Sequence, residues 1–298
     1  MSFRWMKIAL PALLLMASLT IPRLAAQMAE KFPIDQAFTV SSDVTYTQGA
    51  QGPLKGDVYM PLGTGPFPGV VFIHGGGWRN GDRNQMLKLI KALAEGGYVC
   101  FTIEYDVDPV HFPASFHESL AAVSFLRTHA AEYRLDPSRI AVAGSSAGGE
   151  LAALVALNPS GTPLGKPAAK GQPVQAALIF NGVLDLTAQD ESHSTTIEGY
   201  LGGKCSALPE VCRDASPLFH VHAGAPPFYV GHGTVDQMVP FSEAVAFTDA
   251  LKKAGVPVEF FQAEGGKHTY WADPRFYDKN LENIKAFLAA HLGKPGTR

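Results

Sequence analysis

Short apolar runs rich in β-branched and aromatic residues alternate with longer segments whose apolar positions recur every three or four residues. This alternation constrains the fold of the 298-residue chain more than any other feature. GVVFIHGGGW, YVCFTIEY, RIAVAG, QAALIFNG and PFYVGHG read as strands; RNQMLKLIKALAEGG, SFHESLAAVSFLRTHAAEY, GGELAALVAL and FSEAVAFTDALKKAG lie between them and read as helices. Parallel neighbours cannot be joined by a tight turn, so repeated strand–helix units predict an α/β fold with a mostly parallel central sheet flanked by helices. Ahead of these units, FTVSSDVTYTQ and GDVYMP predict an antiparallel opening hairpin. Gly96-Gly97 and Gly255 stand where helices should end, and LDPSRI has turn chemistry ahead of a strand. Val183 to Pro227 breaks the rhythm and predicts a small cap or inserted region within one domain spanning 27–298.

Arg4 and Lys7 precede an apolar run, Ile8 to Ile21, with small residues following at Ala25 and Ala26. That pattern is too short to span a membrane and predicts a signal peptide over residues 1–26, hence a secreted or periplasmic protein with no membrane span after cleavage. Cleavage would remove Arg4, Lys7 and Arg23 but no acidic residue, taking the formal net charge from −3 to −6. A mildly acidic chain without Lys/Arg clusters carries no electrostatic footprint for nucleic acid. In an oxidising compartment Cys205 and Cys212, in KCSALPEVC, have the spacing for a small disulfide, while Cys100 sits in an apolar run and reads as buried. No Cys/His spacing matches a zinc site, and no metal or cofactor is expected.

VAGSSAGGEL, Val142 to Leu151, is built almost entirely from glycine, serine and alanine and lies at a strand-to-helix junction. Its centre, Gly144 to Gly148, has the form G-x-S-x-G of a nucleophile elbow, a turn so sharp that the positions flanking the central residue must be small. The central residue is Ser146. A serine hydroxyl is a weak nucleophile unless a histidine takes its proton and a carboxylate orients that histidine. After the strand PFYVGHG comes TVDQMVP, which offers Asp236; after VPVEFFQAE comes GGKHTYW, which offers His268. Asp185, after QAALIFNG, is a rival acid or a turn residue. HGGGW, after another strand, places Gly76 and Gly77 where bare backbone N–H groups can face a developing oxyanion, together with the N–H of Ala147. Trp78 and Tyr270 are candidates to line a substrate pocket, whereas His74, His220, His222 and His232 read as structural.

With HGGGW, GSSAGGEL, HGTVDQMVP and GGKH in hand, residues 50–292 resemble the α/β-hydrolase superfamily. They look most like the bacterial feruloyl-esterase and acetylxylan-esterase-like branch, close to the hormone-sensitive-lipase-like carboxylesterases. Two departures stand out: Glu150, where such enzymes often carry histidine, and YDV at Tyr105 to Val107 in place of YRL. The resemblance implies a serine esterase acting on short-chain acyl or hydroxycinnamoyl esters, small or borne on plant polysaccharide. Amidase, peptidase-like or lipase-like hydrolysis remains an alternative, as does a non-catalytic binding module of the same fold.

Overall fold

The computed structural model describes residues 37–157, 174–188 and 194–295; the expected signal peptide at 1–26 lies outside them. Strands β1 (Phe38–Gln48), β2 (Pro53–Pro61), β3 (Phe67–Ile73), β4 (Val99–Ile103), β5 (Leu135–Ser145), β6 (Ala176–Phe180), β7 (Phe228–Gly233) and β8 (Val258–Ala263) form one sheet. Its order is β1-β2-β4-β3-β5-β6-β7-β8. The opening hairpin pairs antiparallel, and β2 also runs antiparallel to β4, while every pair from β4 through β8 is parallel.

Helices follow the parallel strands: α1 (Leu87–Glu95), α2 (Ala114–Thr128), α3 (Ala147–Leu157), α4 (Ser194–Leu201), α5 (Pro209–Asp214), α6 (Phe241–Lys253) and α7 (Pro274–Leu292). Side chains alternate across a strand, so each strand feeds two cores. Val71, Ile73, Val142 and Ile179 pack with α2, α3 and α6, whereas Val70, Phe72, Ala143 and Leu178 pack with α1 and α7. This two-sided burial explains why the strands read as continuous apolar runs rather than as alternating ones. Helix α3, beneath the sheet's centre, is buried along its whole length and shows no polar face.

Local signals held with small adjustments. At the end of α1 the positive φ falls on Gly97 (93°), and after α6 it falls on Gly255 (73°). LDPSRI lies inside β5: Leu135 pairs with Phe67, the register then breaks, and pairing resumes at Ile140 opposite Gly69. The broken stretch is a turn in all but name, since Asp136 Oδ1 accepts the Ser138 N–H at 2.9 Å. Among the described residues no helix is long and apolar enough to cross a membrane.

The Val183 to Pro227 stretch, of which 189–193 lie outside the described residues, carries α4 and α5 between β6 and β7. Cys205 and Cys212 are disulfide-bonded within it, with Cα atoms 5.3 Å apart. Cys100 is free and buried on β4.

Candidate active site

The loops at the carboxyl ends of β3, β5, β6, β7 and β8 converge on one cavity of about 600 Å³. Such a crevice is where an open α/β sheet accommodates ligands, because strand ends there deliver side chains from several separate segments. Ser146 stands between β5 and α3 with φ +56°, the left-handed region that a non-glycine residue occupies only under constraint. Its N–H donates to Phe180 O at 3.0 Å, and its carbonyl accepts from Gly149 and Glu150 at 2.9 and 3.1 Å, so the turn is held on both sides. A Cβ on Gly148 would collide with the carbonyl oxygens of Ile73 and His74, which accounts for the missing side chain there.

His268, after β8, has Nε2 3.0 Å from Ser146 Oγ and Nδ1 2.8 Å from Asp236 Oδ2. An ionised carboxylate only accepts, so Nδ1 carries the proton and Nε2 is left to accept from the serine hydroxyl. The Asp236 side chain is fully buried. Burial pushes its carboxyl up, but hydrogen bonds from His232 and His268, the His268 charge and the Val239 N–H outweigh it and hold the group well below the ordinary carboxylate range. Oδ1 accepts the N–H groups of Met238 and Val239 at 2.8 and 3.1 Å.

A depressed native pKa means stability that is present above the unfolded carboxyl's pKa and drains away as pH falls toward the native one. The urea midpoint of the wild type is therefore expected to fall below about pH 4. The gap to Asp236→Asn should shrink over the same range; a gap independent of pH between 3 and 7 would contradict the assignment.

Gly76 and Gly77, at φ +131° and +61°, line the cavity together with Ala147 and His268. Trp78 also lines the cavity, although its ring is almost wholly enclosed. Arg79, Asn80 and Asp108 bring polar groups to the cavity lining, and Val183, Ile197 and Val239 apolar ones. Two of these, Val183 and Ile197, come from the inserted stretch.

Tyr270 does not reach the cavity. It is buried in the α7-side core against Phe261 and Phe276, because the short 3-10 turn after His268 directs Thr269 to the cavity and Tyr270 inward. Its hydroxyl is buried without a partner among the described residues. Tyr270→Phe should thus leave kcat and KM unchanged and raise stability by about 1 kcal/mol, since an unpaired buried hydroxyl is a cost. A loss of turnover in this variant, with melting unchanged, would return the residue to the site.

Asp185 is a turn residue: its Oδ1 accepts the N–H and hydroxyl of Thr187 at 2.9 and 2.5 Å. His74 stacks on Tyr105 at 4.4 Å, His220 Nε2 lies 2.8 Å from Asp214 O, and His222 Nε2 lies 3.1 Å from Leu157 O. Among the described residues no group of His, Cys, Asp and Glu is placed to hold a metal ion.

Two residues at the site, Asn181 and Tyr200, escaped the sequence reading, and His232, read there as structural, turns out to hydrogen-bond the acid. His232 Nε2 lies 3.2 Å from Asp236 Oδ2 and 3.0 Å from Val239 O, both acceptors, so it is a second N–H donor at the oxygen that faces His268. Asn181, at φ +41° after β6, has Nδ2 3.4 and 3.3 Å from the two ring nitrogens of His268, near-equal distances that place the amide over the ring. Tyr200, on α4, stacks on Trp78 at 4.2 Å with the ring planes 5° apart. Only His232 left a trace in the sequence, as the histidine four residues before the candidate acid.

Comparison with known proteins agrees with this architecture. The BD-FAE family model matches residues 56–251. Esterase LipQ of Mycobacterium tuberculosis (strain ATCC 25618 / H37Rv) is 33% identical over 77% of this chain and 57% of its own length. The probable carboxylic ester hydrolase LipM of the same organism is 34% identical over 70% of this chain and 50% of its own. This chain thus spans little more than half the length of these two relatives. Among solved structures, the native thermophilic esterase Est2 of Thermogutta terrifontis superposes with a TM-score of 0.72 at 30% identity, covering 85% of this chain and 92% of that one. The same esterase has been solved with butyrate bound, at 29% identity, and phosphonylated by sarin, at 28%. The chain belongs to the BD-FAE family, within the α/β-hydrolase superfamily.

Proposed function

We propose that the protein is a serine carboxylesterase that cleaves short-chain acyl or hydroxycinnamoyl esters through an acyl-enzyme. The observation that carries this reading is the line from Asp236 through His268 to Ser146, at 2.8 and 3.0 Å, opening on a cavity large enough for a small ester. Ser146 Oγ attacks the ester carbonyl carbon as His268 Nε2 takes its proton. Asp236 keeps Nδ1 protonated and stabilises the imidazolium. The N–H groups of Gly76, Gly77 and Ala147 receive the oxyanion. His268 then returns the proton to the leaving alkoxide, and a water activated by the same nitrogen releases the acid and regenerates Ser146.

Butyrate bound to the related Est2 supports a short acyl group, as does the apolar lining from Val183, Ile197 and Val239. Arg79, Asn80 and Asp108 in the same lining suit a hydroxyl-rich alcohol such as a sugar. The Val183 to Pro227 stretch acts in this reading as a small cap over the site. Export is supported by the Cys205–Cys212 disulfide, a bond that persists in oxidising compartments.

The test is turnover by the purified chain of p-nitrophenyl acetate, butyrate and octanoate, methyl ferulate, acetylated xylan and an anilide. Acetate and butyrate should exceed octanoate in kcat/KM, with the anilide inert. Preference for octanoate would point to a lipase, and cleavage of the anilide alone to an amidase; either would overturn the proposal.

A further inference from the structure

One turn past the elbow, Glu150 is completely buried, and among the described residues its carboxyl is hydrogen-bonded by two neutral groups, the Trp78 indole and the Tyr200 hydroxyl. Trp78 Nε1–H donates to Oε2 at 3.2 Å, and Tyr200 Oη lies 3.2 Å from Oε1. These two partners belong to different parts of the site. Trp78 directly follows Gly77 at φ +55°, and Tyr200 is on α4, the helix that supplies Thr196 and Ile197 to the cavity. Glu150 itself is tied to the nucleophile, because its N–H donates to Ser146 O at 3.1 Å. A buried acid with only neutral partners costs stability compared with an apolar side chain of similar size. What it provides in exchange is direction: two hydrogen bonds of set geometry, where a leucine would allow the facing loop and helix to slide.

We propose that Glu150 is a positioning residue for the reaction, a buried acid whose two oxygens lock the Gly76-Gly77-Trp78 loop and helix α4 to the serine elbow. The inference rests on Ser146 being the nucleophile. Burial pushes the carboxyl well above its usual range, only partly offset by the Trp78 and Tyr200 hydrogen bonds. It accepts from both neighbours: the Trp78 indole N–H on Oε2, and the Tyr200 hydroxyl at 3.2 Å from Oε1 and 3.4 Å from Oε2. Glutamine keeps the volume, an acceptor oxygen for one partner and an NH2 that the hydroxyl of the other can accept from; leucine fills the volume and makes neither bond.

Glu150→Gln, Glu150→Leu and Trp78→Phe are compared with the wild type in kcat and KM for p-nitrophenyl butyrate, in the rate of Ser146 labelling by an organophosphonate, and in tryptophan emission. Loss of one oxyanion donor lowers kcat by about 10²–10³, so a loop that is displaced but intact should lose at least about tenfold. Glu150→Leu is expected to lose that much in kcat and in labelling rate, with KM changed less than about threefold and a shift in emission. Glu150→Gln should stay within about threefold of the wild type in both. The proposal fails if Glu150→Leu keeps wild-type kcat, or if Glu150→Gln falls as far as Glu150→Leu. Should Glu150→Leu not fold, Trp78→Phe decides: a kcat loss at constant KM supports the lock, and unchanged kcat overturns it. A wild type that neither turns over the ester nor labels at Ser146 would sink the nucleophile assignment instead, so the two failures are distinguishable.

Discussion

Replacing Ser146 with alanine should lower kcat for ester hydrolysis by about 10⁶-fold with little change in KM. The size of the effect follows from the geometry. His268 Nε2 stands 3.0 Å from Ser146 Oγ, the hydroxyl it is hydrogen-bonded to among the described residues, so removing the oxygen removes the proposed covalent route itself. The fold should survive, because alanine at φ +56° carries the same Cβ that serine already places there. On the proposed mechanism, the residual rate is expected to come from Gly76, Gly77 and Ala147 acting on attack by bulk water, a contribution of about 10³ over the uncatalysed reaction. Turnover measured against the titrated concentration of sites decides the matter. More than about 1% of wild-type activity in the variant would mean that another nucleophile is at work.

Gly144→Ala is expected to show the largest loss of stability, more than about 4 kcal/mol, and to accumulate as insoluble protein. An added Cβ would overlap the Gly148 carbonyl group and come within 2.9 Å of Gly149 N, and these obstacles are backbone rather than mobile side chain. The strand end and the first turn of α3 are both buried, so neither can retreat without opening the centre of the sheet. Gly255→Ala is the control. Its φ is +73°, but an added Cβ there has nothing within 4 Å, so only the local strain of about 1–2 kcal/mol applies. Urea titration of both variants tests the contrast, and a Gly144→Ala protein no less stable than Gly255→Ala would refute the steric account.

Much of the site could be read from the chain because its parts are local. Each of HGGGW, GSSAGGEL, HGTVDQMVP and GGKH sits at one strand end, and the requirement for bare backbone leaves its mark as glycine within a few residues. Ser146, Asp236 and His268 could be singled out because a nucleophile, an acid and a base each had to follow a strand in that order. Tyr270 shows where such reasoning stops. It is two residues from His268, yet a single 3-10 turn aims it into the core, and no spacing rule reports the direction of a side chain after an irregular turn.

The sequence by itself determined the strand–helix alternation, the sharp turn at Ser146 and the supply of chemistry at the strand ends, because hydrophobic period and steric exclusion act over a few residues. Only the tertiary structure decided what those residues meet. His232 joins Asp236, Asn181 covers the His268 ring, and Glu150 gathers Trp78 from 72 positions before it and Tyr200 from 50 after it. The physical reason is that a buried polar group takes whichever partner the packed chain brings within about 3 Å, and that choice is made by the sheet order rather than by any neighbour in sequence.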